Sequence, residues 1–86
     1  MRAVSTCEIW LDDRLVLRGL ADLQSGPRGW RATVRAASAF SSVTLDERRY
    51  DLVLPSGAHP VRLDSARLAT SEFRFLGLGS LPLELT

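Results

Sequence analysis

The stretch Ser5-Thr6-Cys7-Glu8-Ile9-Trp10-Leu11-Asp12-Asp13-Arg14-Leu15-Val16-Leu17-Arg18-Gly19 decides the fold class. Its apolar residues recur at every second position on either side of an acidic turn, which is the period of a half-buried strand and not of a helix. Residues 5–11 and 15–23 therefore read as a β-hairpin around Asp12-Asp13-Arg14. The pattern also sets a register. Leu11 opposite Leu15 places Ile9 opposite Leu17 and Cys7 opposite Gly19, all on one core-facing side. The other side then pairs Trp10 with Val16 and Glu8 with Arg18, both favourable cross-strand neighbours. A two-residue loop would set Leu11 against Arg14 and mix the faces, because a one-residue slip inverts every side chain. The three-residue loop has its own cost, since its last position favours a left-handed backbone and Arg14 is poorly suited to one.

The same alternation continues downstream. Ser25-Gly26-Pro27-Arg28-Gly29 is a turn, and a third strand follows at 30–36 with Trp30, Ala32, Val34 and Ala36 inward and Arg31, Thr33 and Arg35 outward. Residues 37–42 are small and aperiodic and suit a loop or one helical turn. A fourth strand spans 49–54, with Tyr50, Leu52 and Leu54 inward, and Pro55-Ser56-Gly57 turns it into a fifth at 60–64. Asp64-Ser65 is placed to cap a short turn running to Ala69. A sixth strand covers 72–78, with Phe73 and Phe75 on the core side, and Leu81, Leu83 and Leu85 alternate as a final edge strand that tolerates Pro82. No window carries a helical apolar stripe. The expected fold is therefore all-β, a small antiparallel barrel or barrel-like sandwich of five to seven short strands with at most one short helical turn, forming a single domain over 1–86. A barrel is preferred because closure removes exposed sheet edges.

Composition narrows the function classes. The net charge is +1, which gives no long-range field toward nucleic acid or an anionic membrane. All eleven cations are arginine, with no lysine or asparagine and one isoleucine, Ile9, the profile of a GC-rich bacterial genome. Cys7 is the only cysteine, so no internal disulfide forms and a reducing, cytoplasmic setting is expected. No apolar run approaches the ~18 residues of a membrane span.

Candidate chemistry is sparse. His59, between Ala58 and Pro60, reads as an exposed turn histidine, and Cys7 reads as a buried structural thiol. Asp12-Asp13 and Asp46-Glu47 suit turns and lack the spacing of a calcium loop. Gly77-Leu78-Gly79 has neither the third glycine nor the following helix of a dinucleotide fingerprint. No nucleophile, base and orienting group stand in a recognisable pattern, so no catalytic residue, metal ligand or cofactor is assigned.

Arginine carries the remaining signal. Arg31 and Arg35 project from one face of the third strand, and Arg48-Arg49 opens the fourth; these four are the candidate binding residues. Arg48-Arg49 with Asp64 is similar to part of the signature of PilZ domains, small barrels that bind cyclic di-GMP, in which paired arginines precede Asp/Asn-x-Ser-x-x-Gly. Ala66 and Ala69 stand at its serine and glycine positions, so the similarity ends at the arginines and Asp64 and does not extend to membership. The expected function is a non-enzymatic interaction module with a protein partner, a component of a larger bacterial or phage-like assembly. The alternative is an arginine-lined barrel that binds a nucleotide or single-stranded nucleic acid. Against it, the acids are interleaved with the arginines along the chain.

Overall fold

A computed structural model describes residues 1–37 and 49–86. Arg48, Asp46-Glu47 and all but the first residue of the small-residue segment 37–42 lie outside the described residues. Six strands form: β1 (Arg2–Leu11), β2 (Arg14–Gly26), β3 (Gly29–Ala36), β4 (Arg49–Leu54), β5 (Gly57–Arg67) and β6 (Glu72–Gly77). They pair antiparallel and close into a barrel in the order β1-β2-β3-β6-β5-β4. Among the described residues, no helix is long and apolar enough to cross a membrane.

The first hairpin corrects the expected loop. Ile9 faces Leu17, Cys7 faces Gly19 and Glu8 faces Arg18 as the pattern requires, but Trp10 faces Leu15 and Leu11 faces Arg14. The loop is therefore the two-residue Asp12-Asp13, with Asp12 at φ 56°, a left-handed conformation that aspartate tolerates and arginine does not favour. The face-mixing penalty is avoided by a bulge next to the Ile9–Leu17 rung, which leaves Val16 without a rung of its own. Val16 and Leu17 are consequently both buried. The bulge absorbs the slip that would otherwise turn Leu17 outward.

A second bulge, between Leu63 and Ser65, explains two further departures. β5 runs on to Arg67, so Asp64-Ser65 caps nothing, and a 3-10 turn comes later, at Leu68–Thr70, closed by Ser71 at φ 53°. The expected edge strand at Leu81–Leu85 is absent, since β6 already has β3 and β5 on its two sides and a closed barrel offers it no edge. That segment ends instead in a second 3-10 turn, Leu83–Leu85, packed against β1 and β2, with Pro82 and Leu85 fully buried. The described chain thus has two helical turns where the pattern allowed one.

The interior is the alternating apolar set. Ile9, Leu17, Trp30, Val34, Leu52, Val61, Phe73 and Phe75, all expected inward, are buried, and Tyr50 meets Phe75 edge-on at 5.9 Å between ring centroids. Two glycines are fixed by close approach. A Cβ on Gly19 would lie 2.0 Å from the Arg35 carbonyl oxygen, and one on Gly77 would lie 2.1 Å from Cε2 of Trp30. Trp30 seats itself over Gly77 and donates its indole N–H to the Gly79 carbonyl at 3.2 Å.

Candidate functional site

Three of the four candidate arginines are described, and the barrel order does not bring them together: β3, with Arg31 and Arg35, stands across the closed barrel from β4, with Arg49. Arg31 and Arg35 are exposed on β3, and Arg49 is exposed on β4. Arg31 lies opposite Leu76 of β6, Leu76 lies opposite Arg62 of β5, and Arg62 lies opposite Arg49. A parallel row joins Arg35, Glu72 and Arg67, and a third joins Thr33, Arg74 and Ser65. The outer surface of β3, β6, β5 and β4 therefore carries Arg31, Arg35, Arg49, Arg62, Arg67 and Arg74 against Asp51, Asp64 and Glu72. Alternation marks Arg62 and Arg74 as outward in the sequence and leaves Arg67 in a turn, and only the register shows that Arg62, Arg67 and Arg74 join Arg31 and Arg35.

Charge is sorted in space although it is interleaved along the chain. Arg2 holds both carboxylate oxygens of Asp22, and Arg18 donates to Glu8 at 2.8 Å. With Asp12 and Asp13 in the loop beside Arg14, these pairs leave β1 and β2 without an excess of positive charge. Trp10 adds its indole N–H to Glu8 at 3.0 Å, and with Arg18 it holds the Glu8 carboxyl below the usual range. On the opposite side, Arg74 approaches Glu72 at 3.9 Å, and among the described residues Arg31, Arg35, Arg49, Arg62 and Arg67 make no ion pair. Arg31 meets only the side-chain oxygen of Gln24, at 3.3 Å. Arg49 directly opposite Arg62 sets like charges on neighbouring strands, which costs stability.

The neutral side has a different feature. β1 pairs with β2 from Arg2 to Leu11 but with β4 only at Glu8, Ile9 and Trp10. Ser25 donates to the Met1 carbonyl at 2.9 Å. Bonded rungs alternate in an antiparallel ladder, so Arg2, Val4 and Thr6 direct their N–H and C=O groups away from β2. Among the described residues, no strand pairs with that edge. Val4 is 68 % exposed, and Leu20, on the same outer face, is 54 % exposed. Beside them a mainly apolar depression of about 540 Å³ lies between Thr6, Leu20, Val53 and Pro55.

His59 is not the idle turn residue that its neighbours suggest. Its Nε2 lies 2.9 Å from the Ser56 hydroxyl and its ring meets Trp30 edge-on at 6.1 Å. The Ser56 hydroxyl donates to Glu84 at 2.6 Å, and the Ser56 N–H donates to the same carboxylate at 3.1 Å. Serine has one hydroxyl proton, and Glu84 takes it, so His59 donates to the Ser56 oxygen. A hydrolytic triad needs the carboxylate on the histidine and the histidine accepting from the serine. This connectivity runs the other way and fastens the chain terminus to the β4–β5 turn. Burial raises the Glu84 carboxyl, and the Ser56 hydrogen bonds outweigh it, leaving the group below its ordinary value. Cys7 is buried, and desolvation pushes its thiol up to about 11, far from a reactive thiolate. Among the described residues, no group of three metal-ligating side chains occurs. Comparison of the chain with protein-family models, curated proteins and solved structures gives no match.

Proposed function

We propose that this domain is a non-enzymatic interaction module, a component of a larger bacterial or phage-like assembly, which docks a partner protein on the open edge of β1. The observation that carries this reading is the short seam between β1 and β4, which leaves Arg2, Val4 and Thr6 with backbone donors and acceptors that no described strand pairs. Proteins ordinarily cover or blunt such an edge, and an extended peptide that adds a strand there gains main-chain hydrogen bonds. Val4, Leu20 and the adjoining apolar depression give the alternate side chains of an added strand somewhere to pack. The lone buried thiol and the all-arginine cation set support a cytoplasmic, bacterial setting.

Selection from a displayed random-peptide library tests the reading. The expected winners are extended segments rich in β-branched residues, whose binding slows hydrogen exchange at Arg2, Val4 and Thr6. Val4→Pro removes one edge-directed donor without touching the β1–β2 ladder, so it should abolish binding and leave the barrel folded. Selected peptides that protect another surface, or that bind Val4→Pro equally well, would sink the proposal.

A further inference from the structure

We infer that the arginine-bearing surface of β3, β6 and β5 is a second, independent site, which takes the backbone of a single-stranded nucleic acid. The first support is the segregation of charge described above. Five arginines face two carboxylates there, and four of the five make no ion pair among the described residues. Arg49 directly across from Arg62 breaks the usual preference for opposite charges on paired strands.

The second support is shape. Two depressions, of about 340 and 230 Å³, share Gln24, Arg31 and Leu76 and so form one channel. It runs from the turn at Pro27-Arg28, past the edge of Trp30, to Arg74 and Asp64 at the β5 bulge. Apolar walls at Pro27 and Leu76 lie beside guanidinium groups at Arg28, Arg31 and Arg74. A single strand presents both an anionic backbone and flat base faces, and needs both kinds of surface side by side. Arginine suits the phosphates because its planar fork matches them with two parallel hydrogen bonds. From β3 to β5 the field crosses two strand spacings, roughly 10 Å. A width of that order accommodates one strand. An acidic protein segment would use the arginines but not the apolar walls. Asp64 is the one carboxylate lining the channel, and it opposes a phosphate there.

Fluorescence anisotropy with labelled oligo-dT and oligo-U of about twelve nucleotides tests the site, within the usual range for small barrels. Four phosphate contacts give a log–log salt slope of about −2.8, hence a roughly fifty-fold loss of affinity between 50 and 200 mM salt. Arg31→Gln combined with Arg62→Gln should flatten that slope by about 1.4. Asp64→Asn should tighten binding several-fold, a gain that general damage to the fold does not produce. Arg18→Gln, on the neutral side, should change nothing, and Val4→Pro should leave oligonucleotide binding intact. The two oligonucleotides report whether the sugar matters. No saturable binding of either at 50 mM salt overturns the inference. So does an unchanged slope in the double variant, or displacement by polyglutamate at the same concentration as by unlabelled oligonucleotide.

Discussion

Replacing Gly77 by alanine sets two effects of opposite sign against each other. In a strand, alanine is ordinarily better than glycine by about 0.5–1 kcal/mol, because glycine has more conformational freedom to lose. At this position the new methyl would lie 2.1 Å from Cε2 of Trp30 and 2.4 Å from Cδ2 and Nε1. Carbon atoms rest at about 3.5–4 Å, so the indole must retreat by well over 1 Å. It has little room to do so, being 5 % exposed, bonded to the Gly79 carbonyl and edge-on to His59. Overpacking of this kind costs about 1–3 kcal/mol, and disturbing the indole hydrogen bond adds about 1 kcal/mol. The net expectation is a loss of about 2–3 kcal/mol. For a domain of this size that lowers the melting temperature by roughly 10–20 °C. Gly79→Ala is the internal control, since its methyl would meet only Pro60, at 3.6 Å, and should be neutral or mildly stabilising. Thermal melts followed by circular dichroism compare the two. Trp30→Ala removes the whole clashing ring, so in that background Gly77→Ala should cost less than about 1 kcal/mol. Equal melting temperatures for Gly77→Ala and Gly79→Ala would refute the packing argument.

Three further expectations follow from the core and the ion pairs. Phe75→Ala, at a side chain with no exposed surface, should cost about 3–5 kcal/mol in urea titration, close to the whole stability of a small domain. Cys7 should resist alkylation in the folded protein at pH 8, where a thiol pushed up to about 11 is ionised in roughly one molecule per thousand, and should react at once in denaturant. The Asp22 and Glu8 carboxyls are held low, Asp22 by hydrogen bonds from Arg2 and Glu8 by Trp10 and then Arg18. Their contribution is present above the ordinary carboxylate value and is lost as pH falls through and below it; Asp22→Asn should remove part of that acid sensitivity from the melting curve.

Much of the barrel is legible because alternation is a local signal. Trp30, Val34, Leu52 and Phe75 announce their burial by their spacing alone, and Glu8 opposite Arg18 follows from the hairpin register. The bulge beside Ile9 is not legible in the same way. Asp12 at positive φ and Val16 turned inward compensate each other, and alternation counts each as a fault in isolation. The binding surfaces fail for another reason. Arg31 and Arg62 are thirty-one positions apart, and only the order β3-β6-β5-β4 makes them near neighbours. The Ser56–His59–Glu84 fastening likewise depends on where the terminal segment returns, which no period in the sequence encodes.

The short seam between β1 and β4 also orders the assembly of the barrel in time. β1, β2 and β3 form one meander of consecutive strands and β4, β5 and β6 form another. Each can zip from its own turns, whereas the seam joins Ile9 to Leu52, forty-three residues away. Closing a loop of that length as a first event costs about 3 kcal/mol beyond the constant term, which is as much as three rungs at about 1 kcal/mol each return. The seam therefore forms last, once β3 and β6 have brought the meanders together, and it holds because Ile9 and Leu52 are fully buried rather than through its rungs. Unfolding retraces this path. The barrel breathes first along β1, and the strand whose edge no described strand pairs is also the one that detaches soonest.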